Sequence, residues 1–203
     1  MSARPPIEMA QEETLLATVL PLGAPILIAV GGWIFTYMNM RAHTARVARL
    51  DRVNQQLRQL YGPLNALLES SDAAWSAFTS AYWPAHGQPG YFAKGFETTD
   101  EEKARWRLWM REVFHPTNAK MEDVITRNLD LVDGGEMPKA FVDALAHISA
   151  YHAVLRKWDA GDYSEHTSVI NFPSAALKAA VKPAYERLLR EQAYLISSTQ
   201  RKR

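Results

Sequence analysis

The sequence predicts an all-α protein: a single N-terminal transmembrane helix followed by a cytoplasmic four-helix-type bundle. Three observations lead there. Thr14 to Met40 is a run of 27 residues without Asp, Glu, Lys or Arg. From Leu50 onward, apolar residues recur by threes and fours, the period of a helix with one buried face. No alternating strand pattern competes: Ser168–Phe172 is the only short β-like run, and it reads better as a loop.

Composition sets the outer bounds. At 203 residues the chain has room for one compact domain plus an appendage. Its 23 Lys+Arg nearly balance 22 Asp+Glu, a net charge of +1. That balance argues against a general nucleic-acid binder. The absence of cysteine excludes a disulfide scaffold, a thiol nucleophile and Cys-ligated zinc or iron–sulfur sites.

The span is placed at 15–38, with 1–14 as a short extracytoplasmic tail. About 20 apolar residues cross a hydrocarbon core of roughly 30 Å. Pro21 and Pro25 predict a kink that a membrane helix tolerates. A cleaved signal peptide fits poorly, because Glu8, Glu12 and Glu13 outnumber the single Arg4 and no small-residue cleavage site follows. After the span come Arg41, Arg46, Arg49, Arg52 and Arg58, opposed only by Asp51. The positive-inside rule then puts the N-terminus outside and the body in the cytoplasm, with the span in a bacterial inner membrane. Trp33 and Tyr37 fall at the inner boundary.

Residues 39–82 read as a basic juxtamembrane stalk and first bundle helix, close to a coiled-coil heptad through Leu50, Val53, Leu57, Leu60, Leu64 and Leu67. Ser71 interrupts this stripe, and Gly62-Pro63 predicts a kink or break. Residues 83–203 hold the remaining helices. A Pro/Gly-rich loop covers about 84–98, and Thr99 with Glu102 fits a capping box. The next helix carries Trp106, Trp109, Met110, Val113 and Phe114, is divided at Pro116, and continues through Met121 and Ile125 to about Val132. Pro138 suits the first turn of a third helix with Phe141, Leu145, Ile148, Tyr151, Leu155 and Trp158 on its stripe. A second loop leads to Ser174 as N-cap, and the last helix presents Leu177, Val181, Tyr185, Leu188 and Leu195, bent or interrupted at Pro183. Aromatic residues at helical spacing read as core rather than as a ligand cage.

Chemistry-bearing patterns are sparse. The zinc-protease pattern HExxH is absent, as are GxxxxGK[ST], GxGxxG and GxSxG. Asp143 and His147, four apart, could share a metal, with His152 or His166 joining from elsewhere. Asp143, His147 and His152 are the candidates of an alternative reading as a membrane-tethered, metal-dependent hydrolase. A plain Asp143–His147 surface pair and a buried, satisfied His152 account for them more simply. No catalytic residue, metal or cofactor is therefore assigned. The segment 166–173 is either a binding loop or a connector packing Val169, Ile170 and Phe172 on the bundle, and packing is favoured.

Charge divides along the chain: net +3 over 41–96, −5 over 97–165 and +5 over 166–203. In an up-down-up-down bundle both basic ends meet at the membrane-proximal pole. Arg41, Arg46, Arg49, Arg52, Arg201, Lys202 and Arg203 are expected to contact anionic lipid headgroups there. The expected role is a membrane-anchored interaction or assembly module without catalysis, acting on an unidentified protein partner or a second copy of itself, and not on nucleic acid. An accessory subunit of a larger membrane complex is the other alternative.

Overall fold

A computed structural model describes residues 6–83, 91–92 and 94–200, with side chains described at 25, 27–83, 91–92 and 94–198. The elements are α1 (Pro6–Gln55), a first π turn (Gln56–Tyr61), α2 (Gly62–Tyr82), α3 (Asp100–Trp109), a second π turn (Met110–Phe114), α4 (His115–Arg127), a 3-10 turn (Leu129–Leu131), α5 (Lys139–Asp159) and α6 (Ser174–Gln200). Among the described residues there is no strand, as the sequence predicts. The chain forms two compact units, Met1–Arg49 and Leu50–Arg203.

In the first unit Leu27, Ile28, Trp33 and Phe35 are exposed. Trp33 stacks on Tyr37, and the Arg41 guanidinium lies over the Tyr37 ring. Among the described residues no helix is long and apolar enough to cross a membrane. Asn39, Arg41 and His43 dilute the apolar character beyond residue 38. Residues 15–24, the first part of the span read at 15–38, lie outside the described side chains. The structure thus does not support the transmembrane helix.

The second unit is a helical bundle. α2 packs on α4 and α6, and α5 closes the ring by packing on the same two. One cluster of buried residues is mainly aliphatic: Val53, Leu57, Leu60, Leu64, Met121, Ile125, Phe141, Leu177, Val181 and Leu188. A second is mainly aromatic: Phe78, Met110, Phe114, Tyr151, Val154 and Trp158. Both follow the stripes read from the sequence, except that Val154 is buried and Leu155 only partly so.

The prolines correct several expectations. Gly62-Pro63 neither breaks nor ends its helix, and Pro116 does not divide the next one. A π turn precedes each. Gly62 N–H donates to Leu57 O and His115 N–H to Met110 O, five residues back in both cases. Proline has no N–H and its ring crowds the carbonyl four residues earlier. The wider π turn moves that carbonyl aside and keeps the backbone helical. Gly62 is required for a different reason. A Cβ there would lie 2.3 Å from Leu57 O, so no side chain fits without shifting the turn. Pro183 sits inside α6 without interrupting it. Pro138 is an N-cap rather than a first-turn residue, because α5 starts at Lys139. The Thr99–Glu102 capping box forms in both directions. Ser174 does not act as N-cap: it is the first residue of α6, and its hydroxyl turns to Asp72 at 3.4 Å.

Candidate functional site

A cavity of about 580 Å³ opens in the second unit, beside the aromatic cluster. Helical spacing explains how it is lined. α2 contributes Ser71, Asp72 and Trp75, α5 contributes His147 and Tyr151, and α6 contributes Ser174 and Lys178, each set spaced to share one face. Trp106, Met110, Phe114 and Asn118 form a fourth row. In a regular α-helix a row at four-residue spacing drifts by about 40° per step. The π turn at Met110–Phe114 takes up an extra residue and counters that drift. One face can then carry all four residues.

The loop between α5 and α6 supplies the remaining wall through Thr167, Ser168, Ile170, Asn171 and Phe172. Its backbone is pinned from the helices. Trp106 Nε1 and the Tyr151 hydroxyl both donate to His166 O at 2.8 Å, and Trp158 Nε1 donates to Glu165 O at 2.7 Å. His147 Nδ1 lies 2.5 Å from Ile170 O, and since a carbonyl can only accept, the nitrogen donates. The packing expected of this loop is met only by Phe172, which is half-buried and edge-on to His147. Val169 is 95% exposed and Ile170 is also exposed. The loop frames the cavity and marks its mouth.

Two polar side chains lie deep in this wall. Asn118 is 5% exposed and His147 is 7% exposed. Among the described residues the Asn118 carboxamide has no hydrogen-bond partner, and His147 is bonded through Nδ1 alone. Neither residue has a polar atom sealed from solvent and unpaired. Their open polar atoms therefore reach the cavity. Burial holds the His147 pKa below its ordinary value, opposed in part by the bond to Ile170. The ring is then neutral near pH 7, and with Nδ1 carrying the hydrogen, Nε2 presents a lone pair. Burial pushes the Tyr151 phenol well up. At the rim, Lys178 is ion-paired with Asp72. Trp75 meets Trp106 edge-on at 6.3 Å and Phe114 at 5.7 Å, forming aromatic walls.

Two further histidines have lowered pKa values. His115 is edge-on to His152 at 4.7 Å; its pKa is lowered by burial first, then by His152 and His147. His166 stacks on Phe92 and faces Arg107 Nη1 at 3.2 Å. Burial, then Arg107 and Lys103, lower its pKa.

The structure does not bring Asp143, His147 and His152 together. Asp143 is paired with Lys139 at 2.6 Å, and His152 is exposed rather than buried. Among the described residues no group of three His, Cys, Asp or Glu side chains could hold a metal. Arg41, Arg46 and Arg49 are exposed. Arg52 instead bonds to the Asp130 carbonyl, with that residue's carboxylate at 3.8 Å. Arg201, Lys202 and Arg203 lie outside the described residues. Sequence reading missed Asp72, Trp75, Asn118 and Lys178. Asn118 had a visible signal, a polar residue ending the row Trp106–Met110–Phe114. No family model matches the chain, and no curated protein or solved structure is similar to it.

Proposed function

We propose that the chain is a single-pass, membrane-anchored binding and assembly module, with its N-terminus outside and its helical body in the cytoplasm of a bacterial cell. The observation that carries the binding role is the cavity: a mostly apolar, aromatic-walled space with two deeply buried polar side chains open to it. Its volume is in the range of small-molecule sites, roughly 300–1,000 Å³. Anchoring draws its support from the uncharged run Thr14–Met40 and the arginines that follow. The row Trp33, Tyr37, Arg41 suits an inner membrane boundary, aromatic rings at headgroup level and a cation just beyond. In this reading Arg41, Arg46 and Arg49 meet anionic headgroups, joined by the tail 201–203. Arg52 is left out of this set, because it is engaged with Asp130. The body offers its cavity and acidic middle to the cytoplasm, where a protein partner or a second copy of the chain would meet it.

An alkaline-phosphatase fusion after Arg203, expressed in bacteria and paired with membrane fractionation, tests the anchored topology. The fusion is expected in the membrane fraction and inactive, because alkaline phosphatase matures only after export. An active fusion reverses the orientation, and a fusion in the soluble fraction removes the anchor.

A further inference from the structure

The chemistry of the cavity wall selects among ligands. This inference rests on reading the cavity as a binding site and names what it takes. Trp75, Trp106 and Phe114 line the cavity, with Trp75 perpendicular to Trp106, and an aromatic wall of this kind takes a flat ring against one of its members by face or edge. Asn118 presents a donor and an acceptor side by side from a carboxamide with no protein partner among the described residues. His147, its Nδ1 hydrogen given to Ile170 O, adds an acceptor at Nε2. Among the described residues that line the cavity Lys178 is the one cation, and it is already paired with Asp72. An anionic ligand would have to break that pair, and a cationic one would have to compete with Lys178. We infer that the cavity binds a neutral, planar heteroaromatic molecule carrying a donor–acceptor edge, such as the lactam of a purine base or the carboxamide of a nicotinamide. The edge pairs with Asn118, a second N–H of the ligand gives a hydrogen to His147 Nε2, and the ring lies against one of the tryptophans.

Such pairing has a physical motive. A buried carboxamide and imidazole left unpaired are costly unless water or a ligand satisfies them. A polar cavity of this size admits water. A ligand edge that reproduces the water's hydrogen bonds while its ring covers apolar wall gains on both counts.

The test uses the full chain in detergent micelles and four probes, followed by saturation-transfer NMR and by shifts of the Trp106 and His147 ring signals. Nicotinamide and hypoxanthine carry both ring and edge. Benzene carries the ring alone, and cyclohexanecarboxamide the edge alone. Nicotinamide and hypoxanthine are expected to bind, with each single-feature probe about tenfold weaker or more. Asn118→Leu is expected to weaken nicotinamide about tenfold while leaving benzene binding intact, which shows that the variant cavity is still folded. Two results overturn the ligand class but leave a binding cavity: benzene binding as tightly as nicotinamide, or an Asn118→Leu variant that keeps full nicotinamide affinity. If no probe moves either ring signal, the cavity holds water only, and both the ligand class and the binding reading fall.

Discussion

The aliphatic and aromatic parts of the bundle are built from the same helices and solve different problems. In the aliphatic part Val53, Leu60, Leu64, Ile125, Phe141, Val181 and Leu188 are each 0–1% exposed. Branched side chains interdigitate closely in such a core. In the aromatic part Phe78 and Trp158 are as deeply buried, yet Trp75 on the same side is 42% exposed and borders the cavity. Rings meeting tilted or edge-on at 5.7–5.8 Å leave gaps that their stiff planes cannot fill. The helix faces that continue beside these gaps carry Asn118 and His147 where the aliphatic part carries Leu and Ile. Among the described residues the histidines with lowered pKa values, His115, His147 and His166, also belong to the aromatic side. Both parts are buried core, and the aromatic one also borders the cavity.

The sharpest way to break the aliphatic part is Leu64→Asp. Leu64 is 1% exposed and packs among α2, α4 and α6 side chains. An unpaired carboxylate there should cost about 4 kcal/mol or more and leave the body unfolded or molten by circular dichroism and proteolysis. A folded variant of near-normal stability would show that this part is not tightly packed.

A smaller effect sharpens the aromatic side. Burial, the leading cause for His115, His147 and His166, lowers their pKa values in the folded chain. Above the ordinary imidazole pKa both states are neutral and the shift contributes nothing. As pH falls through that value the unfolded chain takes up protons that the folded chain resists. Stability must therefore fall with pH from about 7 toward 5.5, before carboxylates titrate. Thermal unfolding of the full chain at steps across that window should give a falling midpoint, with a shallower slope in His147→Gln. A flat or rising midpoint contradicts the burial of these rings.

Much of this fold was legible because helical stripes are local. Leu57, Leu60, Leu64, Phe141, Ile148, Leu177, Val181 and Leu188 are buried where the period puts them. The Thr99–Glu102 box formed because both partners lie within one turn. The π turns were not legible, since proline announces a lost hydrogen bond but not whether a break, a kink or a wider turn absorbs it. His147 and His152 were misplaced because five residues on a helix separate two faces, and which face is inward depends on α4 and the 166–173 loop. The site is assembled from residues as distant in sequence as Asp72 and Lys178, whose pairing no local pattern reports. Ser71 and Asn118 were its visible traces, polar residues on otherwise apolar rows.

The central claim is that Asn118 is present for a ligand rather than for the fold. The most direct measurement is the unfolding free energy of the full chain in detergent, comparing Asn118→Leu with Leu188→Ala. Leu188 is 0% exposed in the aliphatic part, and its truncation should cost about 2–5 kcal/mol. Asn118→Leu exchanges an unpaired buried amide for an apolar group of similar size. It should leave stability unchanged or raise it by up to about 1 kcal/mol. If Asn118→Leu instead costs as much as Leu188→Ala, the carboxamide is part of the structural core and the cavity is not built around it.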